Sequence, residues 1–142
     1  MSKVFFHSAD RTLNLKDKTV IKSFIEKIFS LEKKPLERID YIFCSDDYLI
    51  DMNQHHLNHN FYTDILTFEL SATKFTKAEV YISLDRVKDN AKNLHQPLIK
   101  ETLRVLFHGA LHLCGYKDKS TKEAILMREM EEKYIQTYQK IK

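Results

Sequence analysis

Glycine is nearly absent: Gly109 and Gly115 are the only two in 142 residues, where ordinary usage near 7% supplies about ten. A chain that does without glycine elsewhere is expected to need these two for backbone reasons. Proline is as scarce, with Pro35 and Pro97 alone. This excludes a proline- and glycine-rich linker, and with no internal repeat or low-complexity tract the elements must follow one another closely. Two cysteines, Cys44 and Cys114, are too few for a disulfide framework and are expected to be small buried thiols in a reducing compartment. No apolar run approaches the eighteen or so residues that cross a bilayer, so no membrane partner is expected. The first residues lack the long apolar segment and cleavage site of a signal peptide, which leaves the cytoplasm as the expected location. A net charge of +3 admits a polyanionic partner but falls short of the dense basic footprint of a dedicated nucleic-acid binder.

What is present is an ordinary globular composition, 43% hydrophobic and 30% charged, in a length that fits one core. Residues 1–142 are therefore expected to form a single domain. Val4 and Phe6 alternate as in a strand, and Ile21, Phe24, Ile25, Ile28 and Phe29 recur with helical period until Pro35 closes the segment. Glu37 to Cys44 has strand character. Ser45 then caps a helix reaching about Leu57, with Asp46 and Asp47 at the positive end of its dipole. Strands are expected over Thr63 to Leu70, with Leu66, Phe68 and Leu70 on one face, and over Glu79 to Ser83. Ser83 caps a helix striped by Leu84, Val87, Ala91 and Leu94. Leu98 to Cys114, opened by Pro97, is apolar on nearly every side and must run through the core if helical. Ser120 and Glu123 form a capping box for a last helix with Met127, Met130, Tyr134, Tyr138 and Ile141 inward. The expectation is an α+β domain, with a small mixed sheet of about four strands packed with about five helices and a metal site on a buried central helix.

The chemistry concentrates in His108-Gly109-Ala110-Leu111-His112. Two histidines four apart project from one helix face about a turn apart, as a tetrahedral metal requires. Gly115 can end the helix, and the returning chain offers Asp118 as a third ligand, so the segment reads HxxxHxxGxxD. Three protein ligands leave a fourth position open, the mark of a catalytic zinc that makes a hydroxide available at neutral pH. One zinc ion per chain and a hydrolytic reaction are expected. The zinc-protease motif carries a glutamate after its first histidine, and Gly109 stands there instead, which weakens a peptidase reading. RNA asks less of the protein, because the ribose 2′-hydroxyl can itself attack.

The run from His108 to Tyr116 resembles the signature of the YbeY family of bacterial rRNA maturation factors, described as single-strand-specific endoribonucleases. Thr63-Asp64-Ile65-Leu66-Thr67-Phe68 is similar to the family's strand beside the metal, and Ala78-Glu79-Val80-Tyr81-Ile82-Ser83 to its neighbouring strand. The resemblance implies metal binding by His108 and His112, with Asp118 where the family usually has a third histidine. It also implies substrate contacts at Asp64 and Thr67, and ribosomal RNA and the small ribosomal subunit as partners. The family's arginine before the Thr-Asp segment has no counterpart, since Leu57-Asn58-His59-Asn60-Phe61-Tyr62 runs straight into Thr63 and looks shorter.

Arg104, one helical turn before His108, and His59 are the candidates to replace that charge in catalysis. Lys92, Lys100, Arg104, Lys117, Lys119 and Lys122 lie near the motif and are candidates for an RNA-binding groove. The neighbouring His55 and His56 point to different sides of a helix, so a second metal site is not expected. Two other functions stay open: a metal-dependent peptidase or other hydrolase, and a non-catalytic ribosome-assembly factor with a structural metal. The sequence leaves the oligomeric state undetermined.

Overall fold

The computed structural model describes residues 2–57 and 63–141. Among them the elements run β1 (Val4–Ser8), α1 (Lys18–Leu31), β2 (Leu36–Cys44), α2 (Asp46–Leu57), β3 (Ile65–Glu69), β4 (Thr76–Ser83), α3 (Leu84–Asn93), α4 (Leu98–Leu113) and α5 (Thr121–Lys140). The strand order is β1-β2-β4-β3. β1 and β4 lie parallel to β2, and β3 runs antiparallel to β4. The mixed sheet and five helices match the α+β expectation.

Side chains alternate across a strand, and the register Ile39↔Ala78, Tyr41↔Val80, Phe43↔Ile82 lines up one apolar face. The α1 stripe and the apolar residues of α4 and α5 close the main core over that face. Tyr81, between Val80 and Ile82, faces the other side, where Leu49 and Met52 of α2 join Cys44, Leu66 and Phe68 in a smaller cluster. Helix α4 touches α1, α3, α5, β3 and β4, which is why most of its residues, polar ones included, are buried. The Tyr41 hydroxyl donates to the Leu106 carbonyl at 2.8 Å and joins sheet to helix.

The helix starts follow their serines. Ser45 Oγ accepts from Tyr48 N, Ser83 Oγ from Arg86 N, and Ser120 and Glu123 form the reciprocal box. The differences from expectation sit at element ends. Leu70 lies one residue past β3, and Leu94 and Ile141 are the C-terminal caps of α3 and α5; all three are exposed, because the stripe extends beyond the last residue that packs. Cys44 is buried and its thiol is pushed up to about 12 by desolvation, whereas Cys114 is only half-buried.

Carboxylates hold the loops after β2 and β4. Asp10 accepts from Ser45 N and Oγ, Asp46 from Ser83 Oγ at 2.6 Å and Arg86 Nε at 3.1 Å, and Asp85 from Asp46 N at 3.0 Å and Arg11 Nε at 3.1 Å. The Asp46 backbone donor is the main reason that the Asp85 pKa is lowered; partial burial opposes it and Arg11 adds to it. A carboxylate whose folded pKa lies below its unfolded value contributes in full above about pH 3.9, and the contribution is lost as pH falls through the folded pKa. Asp85→Ala is therefore expected to cost about 0.5–1 kcal/mol at neutral pH, discounted for partial exposure. Urea midpoints of wild type and variant should converge as pH falls below the ordinary carboxylate range; a gap independent of pH would contradict the assignment.

Candidate functional site

Residues 101, 104, 105, 108 and 112 follow helical spacing along one face of α4, and that face forms one wall of a cleft of about 730 Å³. Asp64 and Thr67, at the entrance to and within β3, line another side, and Asp118 lies between α4 and α5. Met127, Arg128 and Glu131 of α5 complete the cleft. His108, His112, Asp118, Arg104, Asp64 and Thr67 are thus brought together. His59 and the side chains of His55 and His56 lie outside the described residues.

His108 is held from both ring nitrogens. Nδ1 donates to Glu131 Oε2 at 2.6 Å, which leaves Nε2 facing Asp118 Oδ2 at 3.4 Å. Burial disfavours the imidazolium, but the Glu131 hydrogen bond and charge, with Asp118 and Asp64 beyond, outweigh it and raise the His108 pKa. Desolvation raises the Asp64 carboxyl, with His108 opposing.

Tetrahedral ligands at 2.0–2.2 Å from zinc stand roughly 3.3–3.6 Å from one another, and the His108 Nε2 to Asp118 Oδ2 separation of 3.4 Å falls in that range. The buried carboxylate on Nδ1 is the partner that a metal-ligating histidine usually has. This pair fits a zinc-type donor set. The triad is not closed as it stands: no three His, Cys, Asp or Glu side chains among the described residues converge as a metal group, and His112 lines the cleft as an exposed side chain.

Gly109 points the other way. A Cβ there would lie 3.1 Å from Val80 Cγ1 and 3.2 Å from Ile65 Cδ1. The need for glycine at 109 is therefore close packing on the sheet, not the backbone conformation expected from the sequence. Gly115, at φ +110, does need glycine, since it lies beyond the left-handed region that side chains tolerate. Asp17, Lys33 and His95 take positive φ without glycine.

Arg104 is buried among acids. Its Nη2 donates to Glu132 at 2.7 Å, Nη1 to Glu131 at 3.4 Å, and Nε lies 3.6 Å from Glu101. Its charge is thus engaged by Glu131 and Glu132 within the fold. Lys100 is likewise paired with Glu132 at 3.2 Å, and Lys92, Lys117, Lys119 and Lys122 are exposed.

The sequence reading missed Glu131, Glu101 and Arg128. A signal for Glu131 existed: it sits at helical spacing between Met127 and Tyr134 in the inward stripe of α5, and a buried carboxylate requires a partner.

Residues 5–139 match the protein family Endoribonuclease YbeY. A protein of Cytophaga hutchinsonii named Endoribonuclease YbeY is 45% identical over 130 residues, 91% of each chain. Another of that name from Porphyromonas gingivalis is 38% identical and covers 95% of this chain and 89% of its own. A Thermotoga maritima protein of known solution structure superposes with a TM-score of 0.60 at 28% identity, over 95% of this chain and 88% of that one.

Proposed function

Because the chain belongs to the YbeY family, we propose that it is a zinc-dependent endoribonuclease that cuts single-stranded RNA in the maturation of ribosomal RNA, acting in the cytoplasm on the small ribosomal subunit. The observation that carries the metal reading is His108, fixed by Glu131 on one nitrogen and facing Asp118 with the other. His108, His112 and Asp118 are the residues that would hold one zinc ion per chain, and zinc held there supplies a hydroxide at neutral pH and stabilises charge on phosphate oxygens. Glu131 keeps the Nδ1 proton on His108, so that Nε2 would be the nitrogen offered to a metal. Asp64 and Thr67 border the place where the strand would lie. No described helix is long and apolar enough to cross a membrane.

Gly109 argues against the peptidase. A zinc protease takes its general base from a glutamate at that position, and here even a Cβ would press on Val80 and Ile65.

Purified protein is expected to cut single-stranded RNA slowly and leave casein intact. Chelation should stop the cutting and zinc should restore it, with the zinc content of the native protein near one per chain. Asp118→His should keep the metal, whereas Asp118→Ala should weaken it. His108→Ala protein prepared in parallel controls for contaminating nucleases. Equal RNA cleavage by wild type and that variant would refute the nuclease and leave the ribosome-assembly factor ahead.

A further inference from the structure

A strand of RNA entering the cleft meets four carboxylates, Asp64, Glu101, Asp118 and Glu131, and a polyanion requires cations that are not already spent. Arg104 is taken by Glu131 and Glu132. Arg128 is different: it lines the same cleft, and it makes no hydrogen bond or ion pair with any other described residue. We propose that Arg128 receives a backbone phosphate of the RNA strand, a role that rests on the endoribonuclease reading above.

Placement supports this. Ala124, Met127, Arg128 and Glu131 all line the cleft, at the i, i+3, i+4, i+7 spacing of one helix face. Arg128 stands three residues before Glu131, roughly 4.5 Å of helix rise, and Glu131 touches His108. Arg128 also borders an adjoining groove along α5 with Ser120, Thr121 and Ile125, so a strand leaving the cleft by that groove passes its guanidinium. Its charge acts on Glu101 through space without a bond, which leaves its donors available. A guanidinium presents paired donors that match two phosphate oxygens, and it is more weakly hydrated than an ammonium.

The test is binding of a short single-stranded RNA, protected from cleavage by 2′-O-methylation, to the zinc-loaded protein, followed by fluorescence anisotropy across a salt series. Arg128→Ala is expected to weaken affinity about tenfold and to flatten the log–log salt slope by about 0.7, the loss of one phosphate contact on a single strand. Arg128→Lys should recover part of both, and zinc content and circular dichroism should not change. With cleavable RNA, KM should rise more than kcat falls. Unchanged affinity and salt slope in Arg128→Ala would make it a solvated surface arginine and overturn the proposal. If wild type binds RNA but does not cut it, the endoribonuclease reading falls while Arg128 is still judged on binding; if it neither binds nor cuts, both fall.

Discussion

Glu131→Ala is expected to lower the unfolding free energy by about 3 kcal/mol and to weaken zinc binding 10–100-fold. Both effects come from one carboxylate, 3% exposed, with Oε2 on His108 and Oε1 on Arg104. Removing one partner of a buried ion pair costs about 3–5 kcal/mol, because the remaining charge stays desolvated. The lower end applies, since Arg104 keeps Glu132 at 2.7 Å. The metal effect arises because His108 loses the acceptor that fixes its tautomer and ring orientation. Glu131→Gln should be milder: one amide oxygen can still accept from His108, but the amide nitrogen then faces the Arg104 guanidinium. Urea unfolding of the chelated protein reads the first effect and competition with a zinc indicator reads the second. Full zinc affinity in Glu131→Ala would show that His108 is oriented without it.

Gly109→Val is expected to cost roughly 2–3 kcal/mol, the range for overpacking a filled core, or roughly 10 °C in melting temperature for a domain of this size. The Cβ itself already meets Val80 and Ile65 at 3.1 and 3.2 Å, and the two methyl groups of valine have no place between α4 and the sheet. Gly109→Ala is a finer balance. Alanine gains about 1 kcal/mol of helix propensity over glycine, set against pushing two flexible side chain ends back by tenths of an ångström, so it should stay within about 1 kcal/mol of wild type. A valine variant as stable as wild type would mean that α4 can lift from β3 and β4 at no cost.

Much of this molecule was legible in the chain, because the signals involved are local. The alternation of Val80 and Ile82 located β4, the serines at 45, 83 and 120 located helix starts, and the apolar residues spread round 98–114 placed α4 in the core. The same periodicity put His108 and His112 on one face, and that face does border the cleft. The stripe failed at Leu70, Leu94 and Ile141, since period alone does not say where a neighbouring element stops covering it. The reason for Gly109 was equally hidden, because its neighbours Val80 and Ile65 belong to strands far away in the chain.

By itself, then, the sequence determined the order and type of the elements, the helix face that bears the histidines, and the position of Asp118 just past Gly115, all of which follow from backbone period and turn chemistry within a few residues. Only the tertiary structure decided which charges are spent. Arg104 meets Glu132 across 28 positions and His108 meets Glu131 across 23, while Arg128 on the same helix meets no such partner among the described residues. Pairing of charges depends on how α4 lies against α5, and no local pattern in either helix encodes that contact.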